Sequence, residues 1–357
     1  MAARLTFRQM RLVFYVSGHG FGHSTRDIEV MTSLKARCPG ADIIVRTAVQ
    51  RWLLNLTAPS GVQIQEFQAD TGIIQIDSLR LDEDATVAEA KRFYADFDGR
   101  VAAEANLLRA MRADLVVGDI PPLAFAAAAR AAIRSVAIGN FTWDWIYGAY
   151  PAFDTAAPAV IPTIRSAYAL AARALRLPLH GGFESMTSVI EDIPLIARRS
   201  TRDRGEVRRM LGVSADRPIV LTSFGAYGAE LPIERMMASK RFTVLAPRRE
   251  PPHGLRYQDL VAASDVVVSK PGYGIVSECI ANGAALLYTS RGRFREYDVF
   301  VREMPRLLRC RYISQEDLSA GSWEESIEAL LAQPAPADRP RIDGADVAAE
   351  SILRFTS

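Results

Sequence analysis

The amino-acid sequence predicts an α/β fold with two doubly wound parallel sheets, one in each half of the chain. Three observations carry this. The 357 residues exceed one domain of ordinary size. Short apolar runs alternate with helix-periodic stretches along the chain, which is the rhythm of a parallel sheet. Three of those runs end in glycine-rich loops, at 17–26, 223–228 and 269–278, where an open α/β sheet binds its ligands.

In the first half, Leu12-Val13-Phe14-Tyr15-Val16 is apolar throughout, as a strand buried on both faces must be. The loop 17–26, Ser-Gly-His-Gly-Phe-Gly-His-Ser-Thr-Arg, follows, and then Ile28, Met31, Thr32 and Leu34 recur at helical spacing. Ile43-Ile44-Val45, 49–56 and Val62-Gln63-Ile64 read as strand, helix and strand. Residues 70–78 form a loop. Asp82-Glu83-Asp84 has the Asp-x-Asp form that can hold a metal-diphosphate, yet it suits a solvated start to one or two helices over 86–111. Leu115 to Gly118 is a strand ending in Asp119, and Pro121-Pro122 opens an alanine-rich helix at 124–132. The strand at 135–138 runs into Gly139-Asn140-Phe141-Thr142-Trp143-Asp144-Trp145, whose indoles suit a ligand wall or the core. Residues 160–177 read as a helix carrying Arg165, Arg173 and Arg176, a solvated face that could at most touch a membrane peripherally.

Periodicity fades between Pro178 and Pro194, and the domain crossing is expected there. Glu206 to Leu211 is helical. Strands follow at 218–222, 242–246, 265–268 and 285–288, with a helix at 257–263. The charged loop 291–298 precedes helices at about 295–306 and 322–332. A proline-rich spacer at 334–340 leads to an amphipathic helix at 344–357. The expected domains are 1–195 and 196–343, with 344–357 packing back on the first.

Composition limits the function classes. A hydrophobic share of 49% and a charged share of 24% are those of a water-soluble globular chain. Net charge is +2, so nothing pulls the chain toward nucleic acid. Cys38, Cys279 and Cys310 have neither metal-ligand spacing nor an even count, which suits a reducing compartment. The start, Met1 to Arg8, has no signal-peptide core, and no apolar run approaches the ~20 residues of a membrane span. A cytoplasmic protein without a bound metal or cofactor is expected.

The candidate site comes from the strand ends. Gly18, Gly20 and Gly22 alternate, so the Gly-x-Gly-x-x-Gly dinucleotide fingerprint fails. The loop instead holds two of the four histidines, His19 and His23. A histidine at a helix start is disfavoured as a cation and can accept a proton. In the second half, Gly272 and Gly274 let backbone approach a ligand, the helix that follows favours an anion, and Lys270 adds positive charge. Glu278, a turn later, can accept from sugar hydroxyls. Asp70, Asp119 and Asp144 offer carboxylates on the first side.

Ser-Lys-Pro-Gly-Tyr-Gly-Ile-Val-Ser-Glu (269–278) resembles the nucleotide-binding signature of GT-B glycosyltransferases, and Gly22-His23 is similar to their first-loop motif. The length and end points are similar to those of the N-acetylglucosaminyl transferase that makes peptidoglycan lipid II (family 28). A likeness over most of the chain is to the glycosyltransferase-like N-terminal region of plant L-arabinokinases. It rests on 18–23, 70–78, 140–144, Ile193-Pro194-Leu195 and Gly272-Tyr273-Gly274.

The resemblance implies two Rossmann-like domains facing across a cleft. It also implies inverting, metal-independent transfer from a nucleoside-diphosphate sugar, most simply UDP-linked. The acceptor hydroxyl would belong to a small molecule, a lipid-linked sugar or a glycan. His23 would be the base, with His19 as second choice, since Phe21 lengthens the loop. Asp144 is a further catalytic candidate. Ser223, Gly225, Ala226, Tyr227, Lys270, Gly272, Tyr273, Gly274 and Ile275 would meet the donor, with Glu278 on the ribose and Glu296 near the sugar. Gly20, Gly22, Asp70, Asp119, Asn140 and Trp143 would lie on the acceptor side. Around Glu296 the usual Asp-Gln and Gln-x-x-Asn patterns are missing. No Gly-Leu-Ser-Ser-Ser-type ATP loop occurs, so a sugar kinase is not expected. A silent UDP-sugar-binding module and a UDP-sugar epimerase remain as alternatives.

Overall fold

Twelve parallel strands in two sheets organise the computed structural model, which describes residues 10–356 apart from 215, 226–227, 229–230 and 247–250. The first sheet contains β1 (Arg11–Val16), β2 (Asp42–Thr47), β3 (Val62–Glu66), β4 (Leu115–Asp119), β5 (Ser135–Phe141), β6 (Arg173–Gly181) and β7 (Ile190–Asp192). Its order is β3-β2-β1-β4-β5-β6-β7. The second contains β8 (Ile219–Ser223), β9 (Thr243–Leu245), β10 (Val266–Ser269), β11 (Ala285–Tyr288) and β12 (Cys310–Tyr312), in the order β12-β11-β10-β8-β9. The order reverses between β1 and β4 and again between β8 and β10. These switch points open the crevices where doubly wound sheets bind ligands. Helices cover both faces, so the central strands are buried: Leu12 to Val16 are at most 1% exposed.

Local chemistry explains several boundaries. Asp82 is the N-cap of the helix Glu83–Ala95, its side chain accepting from Ala85 N–H at 2.8 Å. That role accounts for the Asp-x-Asp sequence without a metal. The helical span at 86–111 is two helices, broken at Asp96 before Phe97–Met111.

The helix expected over 160–177 ends at Tyr168, and 173–177 belong to β6. Leu175, Leu177 and Leu179 alternate into the core, while Arg173 and Arg176 pair across to Glu191 and Asp192 of β7 at 2.9 and 2.6 Å. The three arginines therefore do not share a helical face. Among the described residues no helix is long and apolar enough to cross a membrane.

The chain passes between the sheets twice, side by side, since Ile196 bridges Asp343 in antiparallel fashion. The last helix, Gly344–Thr356, then packs on Gly22–Arg37. Ser33 Oγ and Arg37 Nη1 donate to Asp346 Oδ1 at 2.6 and 2.8 Å. Phe355 lies under the guanidinium groups of Arg134 and Arg173. The turn into this helix needs glycine, because a Cβ on Gly344 would lie 2.1 Å from the Pro194 carbonyl oxygen. Within Gly22–Arg37, Asp27 is buried, and neither carboxyl oxygen has a hydrogen-bond partner among the described residues. Burial and then Asp119 hold its pKa well above the carboxylate range, against Arg26.

Gly344→Ala should lower stability by ~1–3 kcal/mol through overpacking, seen as a lower urea midpoint at constant m-value. An unchanged midpoint would mean the Pro194 carbonyl yields freely. For Asp27, the folded state keeps a proton that the unfolded chain releases near pH ~4. The stability it contributes is complete below that pH and is lost as pH rises. Asp27→Asn cannot ionise, so its melting temperature should gain on the wild type's as pH rises above the ordinary carboxyl range of about pH 4. A gap that stays constant with pH would remove the proton from Asp27.

Candidate functional site

Parallel pairing of β1 with β4 brings their carboxyl ends together. His23 stands in the first turn of Gly22–Arg37, just after β1, and Asp119 is the last residue of β4. His23 Nδ1 lies 2.7 Å from Asp119 Oδ1. Arg26, three residues on and on the same helix face, donates through Nε and Nη2 to the two oxygens of Asp119. Its Nη1 donates to Asn140 Oδ1 at 2.6 Å, and Nη2 also lies 2.9 Å from His23 Nδ1. All four side chains are buried. Burial opposes ionisation of Asp119, but Arg26 and then His23 outweigh it and hold the pKa below the usual carboxylate range. The ionised carboxylate accepts a hydrogen bond from Nδ1–H, and in that tautomer Nε2 is the ring's acceptor.

His19 is disposed differently. Its Nδ1 accepts from Ile73 N–H at 3.2 Å, and its Nε2 lies 3.3 Å from the Gln75 side-chain nitrogen. The ring stacks on Phe294 with centroids 5.6 Å apart and meets Trp143 edge-on. Burial, helped by Arg291, His23 and Lys270, holds its pKa well below the usual value. A neutral ring that accepts at Nδ1 carries its proton at Nε2, so His19 has no spare lone pair. Gly72, at φ +56°, makes room for it, since a Cβ there would meet His19 Cβ at 2.9 Å. Gly20, at φ +70°, turns the loop.

Trp143 is fully buried, so it is core packing behind the histidines; its Nε1 donates to Asp70 Oδ2 at 2.8 Å. Burial raises the Asp70 pKa, against bonds from Ser17 and Trp143 and the His23 charge. Asp144 faces the helix Val160–Tyr168, accepting from Arg165 Nε at 3.2 Å, and is not brought to His23.

The second half rises from β8 and β10. Ser223 closes β8, where its carbonyl accepts from Ser269 and its hydroxyl from Tyr257. Gly225 takes φ +67°. Ala226 and Tyr227 lie outside the described residues. Lys270 Nζ reaches the first domain, 3.5 Å from Gln75 Oε1, and burial with Arg291 keeps its pKa well below the usual value. Gly272 caps Tyr273–Asn282. A Cβ on Gly274 would lie 3.5 Å from Gly22 Cα, so two helix N-termini meet across the cleft.

Tyr273, Ile275, Glu278 and Glu296, all expected at the donor, have partners of their own. Tyr273 turns to the first domain, its hydroxyl accepting from Ile196 N–H at 3.0 Å and its ring under Arg26. Ile275 packs against the core. Glu278 is buried, and Arg198 Nε and Nη2 reach its Oε1 at 2.6 and 2.5 Å. Glu296 accepts from Asn140 Nδ2 at 2.7 Å. His23, Asp119, Arg26, Asn140 and Glu296 are thus one hydrogen-bonded chain joining the domains.

The sequence reading singles out neither Arg26 nor Arg291. Arg26 was readable as the same-face neighbour of His23. Arg291 follows β11 as Lys270 follows β10, but its isolation shows only in three dimensions. It is 6% exposed, and its Nε and Nη2 have no hydrogen-bond partner among the described residues. Its guanidinium carbon lies 4.0 Å from the Phe294 ring centroid.

No protein-family model matches the sequence. The chain is 30% identical over 365 residues to the L-arabinokinase of Arabidopsis thaliana; the match covers 98% of this chain and 35% of that protein. It therefore spans about a third of that relative's length. Among solved structures, the calicheamicin glycosyltransferase CalG4 superposes with TM-score 0.64 at 16% identity, covering 98% of each chain. MurG of Acinetobacter baumannii gives 0.54 at 12% identity, over 97% of this chain and all of that one. A UDP-N-acetylglucosamine 2-epimerase of Listeria monocytogenes gives 0.53 at 12% identity, over 97% of this chain and 95% of that one. Two all-parallel sheets, their strand orders and these likenesses give the chain the GT-B fold of the glycosyltransferases, two Rossmann-like domains across a cleft.

Proposed function

We propose that the chain is an inverting, metal-independent glycosyltransferase that moves a sugar from a UDP-linked donor to an acceptor hydroxyl. The observation that carries this reading is the His23–Asp119 pair opposite a glycine-rich helix start bearing Lys270. The acceptor hydroxyl gives its proton to His23 Nε2 while its oxygen bonds to the anomeric carbon. The bond from that carbon to the diphosphate breaks on the opposite face, inverting configuration. The leaving diphosphate gains charge, which Lys270 and the N–H groups at the start of Tyr273–Asn282 meet without reorganising. Such a donor is typically worth ~3 kcal/mol in the transition state. Asp119 keeps the tautomer of His23 and stabilises the positive charge that the ring acquires. His19, whose one lone pair is taken by Ile73 N–H, orders the loop, which favours His23 as the base.

Glu278 serves the ribose in this reading. Both Arg198 contacts fall on Oε1, leaving Oε2 for sugar hydroxyls. The likeness to an epimerase supports a second reading, epimerisation of a UDP-sugar, with the buried carboxyls Asp70 and Glu296 as the acid–base groups.

Following UDP release from UDP-sugars separates the two: release that requires an acceptor hydroxyl is expected, and conversion of the sugar without an acceptor would favour the epimerase. His23→Ala should cut turnover by ~100-fold or more while UDP still binds; unchanged turnover would take His23 out of the reaction. Glu278→Ala should weaken UDP binding by about tenfold, the scale of one hydrogen bond to a charged group. Equal calorimetric affinity would end the ribose assignment.

A further inference from the structure

Arginine side chains in this protein repeatedly hold carboxylates by one edge. Arg46 donates from Nε and Nη2 to the two oxygens of Glu104 at 2.9 and 2.7 Å. Arg176 does so with Asp192 at 2.6 and 2.9 Å. Arg26 holds Asp119 by the same edge. The spacing of those two N–H groups matches that of two carboxylate oxygens. In Arg291 the same two atoms are buried and have no hydrogen-bond partner among the described residues. Glu296 is near enough to act on its charge, but that carboxylate is bonded to Asn140. A buried guanidinium edge without an acceptor is costly unless a ligand supplies one.

The surroundings identify which part of a ligand reaches it. The diphosphate cradle lies at the β8–β10 switch point, whereas Arg291 follows β11, one strand further out. Its electrostatic neighbours include His19 and Tyr150 of the first domain, besides Lys270 and Glu296. Phe294, against which Arg291 lies, stacks on His19. This is the reacting side of the cleft, on the same loop as Glu296. We infer that Arg291 is a specificity-determining residue that grips the carboxylate of a uronic acid carried by the nucleotide donor. The inference rests on the glycosyltransferase reading and narrows its donor class.

Calorimetric titration of UDP, UDP-glucose, UDP-galactose, UDP-glucuronate and UDP-galacturonate tests it. The wild type should bind at least one uronate about tenfold or more tighter than its neutral counterpart. Arg291→Gln should erase that advantage and leave UDP and the neutral sugars unchanged; Arg291→Lys should keep part of it, and serves if the glutamine variant does not fold. Normal UDP binding with no uronate preference overturns the inference and spares the nucleotide reading, whereas absence of UDP binding sinks both. Equal weakening of UDP in Arg291→Gln would assign Arg291 to the diphosphate and also overturn it. So would Arg291-dependent binding of free glucuronate to protein saturated with UDP-glucose, which would place the carboxylate on the acceptor.

Discussion

The buried ion pair between Arg26 and Asp119 is the interaction on which the arrangement of the cleft depends. One guanidinium satisfies both oxygens of a carboxylate at the end of β4, an amide from β5, and the face of Tyr273 in the other domain. Removing either charge would leave the other buried and unpaired, the costly case for buried pairs. The pair is thus less a source of net stability than a fixture that specifies geometry. It sets where His23 can stand and, through Asn140 and Glu296, how the 291–296 loop approaches the first domain.

That loop is tied down at several other points. Tyr150 donates to the Arg293 carbonyl at 2.6 Å, Gly292 N–H to Leu79 at 3.0 Å, and Arg295 to the Trp145 carbonyl at 3.1 Å. Ser78 bonds the carbonyl of Phe224. The 291–296 loop and the start of the glycine-rich loop at 223–228 are therefore both held from the first domain. The positive ends of two helices, Lys270 and Arg291 converge between them, and the carboxylates of Asp119 and Glu296 already have partners. An electrostatic imbalance of this kind fits a cleft built around an anionic ligand.

How much of this was legible in the sequence follows from the range of each interaction. Strand, loop and helix at 12–26 and 266–278 were readable, because an apolar run and a glycine break are local signals. The helix Tyr257–Ala263 was readable for the same reason. The strand β6 was misread because Arg165, Arg173 and Arg176 recur at helical spacing, which masked the period-2 alternation of Leu175, Leu177 and Leu179. The strand β12, three residues at a sheet edge, is too short to show a period. Within the site, His23, Asp119 and Glu278 stood out as reactive types at strand ends. Their partners did not, since Asp119 lies 93 positions from Arg26 and Glu278 lies 80 from Arg198. Asp144 looked equivalent to Asp119 in sequence, yet one turn of helix directs it to Arg165.

The two side-by-side crossings at Ile196 and Asp343 have a mechanical consequence. A domain attached by a single strand can tumble; one attached by two paired strands swings like a door on a pinned edge. The last helix, anchored back on the first domain by Asp346 and Phe355, fixes the second pin. A hinge at that edge is the rotation such an attachment allows. It would separate Gly22 from Gly274 and, once the bonds to Tyr150, Leu79 and Trp145 part, swing the 291–296 loop away from His23. Opening the cleft and freeing the 291–296 loop from the first domain would thus be a single movement.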